Sequence, residues 1–264
     1  MKRFFIPALA FSSIFTAISA EPASACTGQT ACELGERSYH VREPDNWDGV
    51  SPLPVLLHFH GWGRQGNLIV RHDRISAGKV AEDVLVLAPN GLGGSWDFRN
   101  TGSRDSSFAR AIIEDAATRY PIDTDHLFVS GYSFGAYMAW RFVCDDGNDI
   151  AALLAVAGSF PPNATCDEGP REVRQVYSLD DGVLRFPFGP NGETTTPVAL
   201  WRDRFDCNDA EQLGPWNARD FLTFERTAWE CAQGAIVLDI HPGGHFIPHD
   251  WIPIQVDEIL SVSE

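Results

Sequence analysis

The sequence is short of positive charge: 20 lysines and arginines stand against 36 aspartates and glutamates, a formal net charge of −16. So acidic a body argues against nucleic acid as a partner, because phosphate binding needs a cationic face. Also missing are internal repeats, low-complexity tracts and any serine- or proline-rich linker that would divide the chain. At 264 residues it therefore reads as one domain with a full core. No C-x-x-C pair occurs among the six cysteines, which speaks against zinc. Nor does any apolar run reach the roughly 20 residues of a membrane-spanning helix. The nearest, Phe4 to Ile18, is shorter and is broken by Pro7, Ser12, Ser13 and Thr16.

That run follows Lys2-Arg3 and ends at Ser19-Ala20, the charged, apolar and small-residue order of a secretory leader. Residues 1–20 are thus expected to be removed and the product to be secreted or periplasmic, with 26–264 as a single domain. Ala23-Ser24-Ala25 offers a second cleavage point. Cutting there would put Cys26 at the new terminus and open lipid attachment, although Ala23 stands where such sites usually carry leucine. All six cysteines follow the leader, and an even number in an exported chain reads as disulfides. Their spacing suggests local loops: Cys26 with Cys32, Cys144 with Cys166, Cys207 with Cys231. Six cysteines allow fifteen connectivities, so this pairing is one among several. Asn163-Ala164-Thr165 matches the glycosylation acceptor pattern.

Along the chain, strands and helices alternate. "RSYHVREP" (37–44) changes polarity with period two, as an edge strand with one wet face does. "LPVLLHFHG" (53–61) and "VLVLAPNG" (84–91) are continuous apolar runs ending in glycine, suited to strands covered on both faces. "DSSFARAIIEDAATRY" (105–120) places Phe108, Ile112, Ile113 and Ala116 on one helical face behind an acidic cap, before Pro121. The strand "HLFVSG", a helix from Phe134 to Cys144 and the strand "AALLAVAG" (151–158) follow. Later come "REVRQVYSL", a helix near 195–204, the pair "FLTFERTAWE" and "AIVLDIHPGGH" around Gly234, and a closing helix from about Trp251. The succession predicts a mostly parallel sheet with helices on both faces. In such sheets ligands lie beyond the carboxyl ends of the strands.

Ser133 falls in that zone, inside "GYSFG" at a strand-to-helix turn. The G-x-S-x-G pattern is weak alone, but a turn tight enough to expose a serine needs small neighbours, which Gly131 and Gly135 provide. A serine hydroxyl needs a base, and histidine is basic at neutral pH. His245, after "AIVLDI" and Gly243-Gly244, is better placed than His241 or His249. The base in turn needs an acid. "VYSLDDGVLRF" offers Asp180 and Asp181 at a strand end, and Asp181, nearer the turn, is preferred. Two amides suit a tetrahedral oxyanion: Phe134, after the serine, and Trp62, after the turn in "HFHGWG". The Trp62 and Trp96 side chains are candidates for an aromatic wall against the substrate, or for packing under a loop.

These motifs resemble those of the secreted esterases grouped with polyhydroxybutyrate depolymerases and feruloyl esterases, within the α/β-hydrolase fold. The likeness runs from "RSYHVREP" through "VLLHFHGWG" and "RYPIDTDHLFVSGYSFGAYMAW" to "LLAVAGS" and "HPGGH". It implies carboxylic ester hydrolysis through an acyl-enzyme by Ser133, an aspartate near 181 and His245, with no metal or organic cofactor. It also favours the Cys207–Cys231 pairing. Members often carry His-Gly just ahead of the acid, whereas this chain has Tyr177-Ser178-Leu179 there, so Asp180 and Asp181 both stay open. The expected partner is a small or oligomeric ester, met by a monomer without a trailing surface-binding module. A serine peptidase on the same sheet, or a non-catalytic binding protein that kept the fold, are the competing readings.

Overall fold

The computed structural model describes residues 26–160, 166–184 and 198–262. The leader, the Asn163 acceptor and the start of the helix expected near 195 lie outside the described residues. In chain order the strands are β1 (Cys32–Leu34), β2 (Arg37–Arg42), β3 (Leu53–Phe59), β4 (Leu85–Pro89), β5 (Ile122–Tyr132), β6 (Ala152–Val156), β7 (Glu172–Ser178), β8 (Glu211–Arg219), β9 (Leu222–Cys231) and β10 (Gly234–His241). The helices are α1 (Gly66–Ile69), α2 (Gly78–Asp83), α3 (Arg104–Ala117), α4 (Phe134–Asp146), α5 (Val198–Phe205) and α6 (Trp251–Val262).

All ten strands among the described residues join one sheet in the order β1-β2-β4-β3-β5-β6-β7-β10-β9-β8. The middle strands, β4 to β10 in that order, run parallel, and an antiparallel pair closes each side. Side-chain alternation divides the core in two. On one face Val55, Leu57, Phe59, Leu153 and Ala155 pack against apolar residues of α3, α4 and α5. On the other, Leu56, Val86, Ala88, Leu154 and Val156 meet α1, α2 and α6. Covering on both faces is why β3, β4 and β6 read as unbroken apolar runs.

Two local expectations need revision. The strand 37–42 is not at the edge, because the three-residue β1 pairs outside it and Tyr39, His40 and Val41 are all buried. The cap of α3 is Ser103, whose Oγ accepts from the Ser106 amide at 3.2 Å. Asp105, in the first turn, instead accepts from Arg37 and from the Asp97 amide, both at 2.6 Å. All three local disulfides form as their spacing suggested, Cys26–Cys32, Cys144–Cys166 and Cys207–Cys231. With its sulfur bonded to Cys32, Cys26 has no thiol left for a lipid.

Towards the β8 side a polar knot replaces apolar packing. The carboxylate of Asp239 on β10 is fully buried and accepts from Trp216 Nε1, Trp251 Nε1 and Arg226 Nε and Nη2, all within 2.8–2.9 Å. Arg226 continues to Gln255 and Glu258 on α6. Every partner of this buried charge is a hydrogen-bond donor, which is what burial of a carboxylate requires. No helix among the described residues is long and apolar enough to cross a membrane.

Candidate active site

Ser133 is the junction between β5 and α4, with φ 55° and ψ −121°. A non-glycine residue in that region is strained and must be held by its surroundings. Its amide donates to Val156 O on the neighbouring strand, and its carbonyl accepts from Ala136 and Tyr137 in the first turn of α4. The two flanking glycines are steric necessities. A β-carbon at Gly131 would lie 2.2 Å from Gly135 O, and one at Gly135 would lie 2.0 Å from Phe59 O. The helix therefore starts in backbone contact with β3, and the serine is pushed to the strand ends.

His245 and Asp181 arrive from adjacent strands. β7 and β10 pair in parallel up to Ser178 and His241, and the Leu179 amide donates to His241 O, which ties the two following loops together. From them His245 Nε2 reaches Ser133 Oγ at 2.9 Å, and His245 Nδ1 reaches Asp181 Oδ2 at 2.6 Å. The other carboxylate oxygen, Oδ1, accepts from the amides of Val183 and Leu184 at 2.8 Å each. Burial alone would raise the Asp181 carboxyl, but the Leu184 amide, the His245 imidazole and the Val183 amide together hold it below the ordinary carboxylate value. An ionised Asp181 assigns the proton of His245 to Nδ1 and leaves Nε2 free to accept from the serine hydroxyl.

The neighbours considered for these places sit elsewhere. Asp180 is exposed. His241 is buried, its Nδ1 accepts from the Gly243 amide, and burial pulls it down to about 4. His249 packs in a T-shaped arrangement with Phe221, ring centroids 5.6 Å apart. Of the two glycines before His245, Gly243 is required by contact, since a β-carbon would meet the Phe246 ring at 2.6 Å, whereas Gly244 faces open space.

Neither the Trp62 amide nor the Phe134 amide has a hydrogen-bond partner among the described residues. The Trp62 side chain is 71% exposed. Trp96 is not its companion: it is 5% exposed, packs edge-on against Phe59 and donates its indole N–H to His60 O at 2.8 Å. It braces the turn that carries Trp62. Phe98, Phe134 and Tyr137 form the aromatic group beside Ser133, with ring centroids 5.0–6.5 Å apart.

Two further side chains hold the site in roles the sequence reading did not assign. His60 is fully buried; its Nε2 accepts from the Gly91 amide at 3.0 Å and its Nδ1 lies 2.8 Å from Gly61 O. Burial lowers it to about 4, so a neutral ring donating from Nδ1 pins the turn before Trp62. Tyr132 donates its hydroxyl to His245 O at 2.9 Å. The signals were present, as the second histidine of "HFHG" and the residue before the serine, but both look like ordinary strand-end residues in one dimension.

No family model matches the chain. It is 24% identical over 273 aligned residues to feruloyl esterase D of Neurospora crassa, an alignment covering 94% of this chain and 90% of that protein. A putative esterase of Nocardia uniformis subsp. tsuyamanensis is 30% identical over 154 residues, 55% of this chain and 44% of that one. Among solved structures, an acetyl xylan esterase from Aspergillus awamori superposes with a TM-score of 0.60 at 15% identity, over 85% of this chain and 94% of that one. An S-formylglutathione hydrolase from Staphylococcus aureus superposes at 0.57 and 12% identity, over 86% and 93% of the two chains. The chain has the α/β-hydrolase fold. Its resemblance to the feruloyl esterase group, carried first by its motifs, extends over nearly the full length of one such relative.

Proposed function

We propose that the protein is an exported serine esterase that cleaves carboxylic esters through an acyl-enzyme, with Ser133, His245 and Asp181 as its triad. The observation that carries this reading is the unbroken hydrogen-bonded line from Ser133 Oγ through the imidazole to a buried, ionised carboxylate. His245 Nε2 takes the hydroxyl proton as Ser133 attacks the ester carbonyl, and Asp181 stabilises the imidazolium that forms. The unpartnered amides of Trp62 and Phe134 receive the oxyanion, each worth about 3 kcal/mol in comparable sites. The imidazolium then protonates the departing alcohol, and water activated by the same base releases the acid.

The substrates named for the relatives, feruloyl and acetyl-xylan esters, support an aryl or short acyl ester of a saccharide, and the Phe98–Phe134–Tyr137 group beside Ser133 suits an aromatic acyl chain. The three disulfides support an oxidising compartment. A fluorophosphonate probe tests the mechanism: it should label the folded protein covalently and fail to label Ser133→Ala. Folded wild type that takes no label would refute it. A panel of feruloyl, acetyl-sugar, short acyl and hydroxybutyrate esters then ranks the substrates.

A further inference from the structure

Beside the triad lies a cavity of about 650 Å³ that the proposed chemistry does not use. It shares two walls with the active site, the Gly61 turn and the Tyr132 ring, and is otherwise lined from the α1 region and the loop after His245. Its size is that of a small-molecule site. Its charge is unlike the rest of the chain. Arg64, Arg71 and Arg74 line it against one carboxylate, Asp73, in a protein whose formal charge is −16.

The arginines are not equivalent. Arg74 is committed: its Nη1 donates to Ile247 O at 2.9 Å and its guanidinium lies 5.6 Å from the Phe246 ring centre. The guanidinium groups of Arg64 and Arg71 have no hydrogen-bond or ion-pair partner among the described residues. Three guanidinium charges against one aspartate leave a local positive surplus, and the two uncommitted groups are free to take a carboxylate, which arginine binds in bidentate fashion. A second feature asks for a ligand. His58 lines the same cavity, fully buried, with Nδ1 on Ser130 Oγ at 2.6 Å and Nε2 without a hydrogen-bond partner among the described residues. A buried polar atom left unpaired is costly unless something fills the space beside it.

The geometry points to a carboxylate-binding subsite: Arg64 and Arg71 hold an acidic group on the ester substrate while its ester lies at Ser133. The inference rests on the esterase reading and names the class of substrate, an ester carrying a free carboxylate on a neighbouring arm. Because the body repels anions at long range, the preference comes from this cavity.

The test compares 4-nitrophenyl hexanoate with mono-4-nitrophenyl adipate, esters of equal chain length that differ in a terminal carboxylate. The readout is the ratio of their kcat/KM values in wild type, in Arg64→Gln/Arg71→Gln, and in Arg42→Gln, which removes a like charge outside the cavity. A ratio that falls about tenfold or more in the double variant alone supports the subsite. A ratio within twofold of wild type, or an equal fall in Arg42→Gln, overturns it while leaving the esterase intact. If neither ester is cleaved, the esterase reading fails separately, and calorimetry with adipate reads the cavity directly. Binding lost in the double variant sustains an anion site, and no binding to wild type removes it.

Discussion

The phenol of Tyr132 donates to the backbone carbonyl of His245 at 2.9 Å, while its ring lies 5.1 Å from the imidazole. The residue before the nucleophile's position thus grips the residue that would take its proton. Removing the hydroxyl alone should loosen the base without touching the substrate. Tyr132→Phe is expected to lower kcat about fivefold, the effect of roughly 1 kcal/mol of lost hydrogen bonding, with KM for neutral esters little changed. Steady-state kinetics check this, and a change confined to KM would contradict it.

Asp181 and Asp180 adjoin in sequence but differ in place. Asp181→Asn should reduce kcat by about 10⁴, because the amide no longer imposes the proton on Nδ1. Asp180→Asn, at an exposed side chain, should stay within about twofold of wild type, as surface substitutions usually do. Side-by-side turnover of the two variants decides which carboxylate serves.

Three deeply buried imidazoles set a pH dependence of stability. Burial holds His58 down to about 3, and His60 and His241 to about 4, against an ordinary 6.5. Above 6.5 both folded and unfolded chains keep these rings neutral, and no difference arises. Below it the unfolded chain takes up protons that the folded chain refuses, so stability falls as pH drops towards about 4. Each ring contributes about 1.4 kcal/mol per pH unit in that window. Urea titrations at pH 7, 6 and 5 should show the decline, and His241→Gln should make it shallower by about a third.

Gly135 should not tolerate a methyl group. With Phe59 O at 2.0 Å from the β-carbon position, Gly135→Ala must push α4 away from β3 and carry Ser133 with it. A loss of about 3 kcal/mol is expected from overpacking of this kind. Activity should drop by more than about 100-fold, since displacements of an ångström cost that much. Thermal unfolding and turnover should fall together.

The Cys207–Cys231 bridge closes a separation of 24 residues, for which loop entropy suggests about 3 kcal/mol. Cys207→Ser/Cys231→Ser should lower Tm by roughly 10 °C. Cys231 pairs opposite Gly234 at the start of β10, the end of the sheet away from His245. Turnover at low temperature should therefore remain within about twofold of wild type.

What the sequence made legible followed from burial on two sides. β3, β4 and β6 announced themselves as apolar runs, as did β5 from His126 onward, though not its polar start at 122–125, and with them the turn holding Ser133. β8 stayed hidden because it is an edge strand of mostly exposed polar residues interrupted by Gly214 and Pro215. β1, only three residues long, could not signal that it covers β2. Trp96 shows the limit for side chains: a tryptophan in a glycine-rich loop fits a substrate wall or a buried brace equally well, and only the indole bond to His60 O separates them. The arginine-lined cavity joins residues near 64–74 to residues near 246, a juxtaposition no local pattern encodes.

The knot around Asp239 bears on how the molecule is made. Its donors come from β8, β9 and α6, so the carboxylate of β10 stays short of partners until the last helix is delivered. On a ribosome, Trp251 emerges after everything it must complete. The carboxy-terminal half of the sheet should therefore wait for α6 before locking, and a chain that stops short of Trp251 would strand a negative charge in oil.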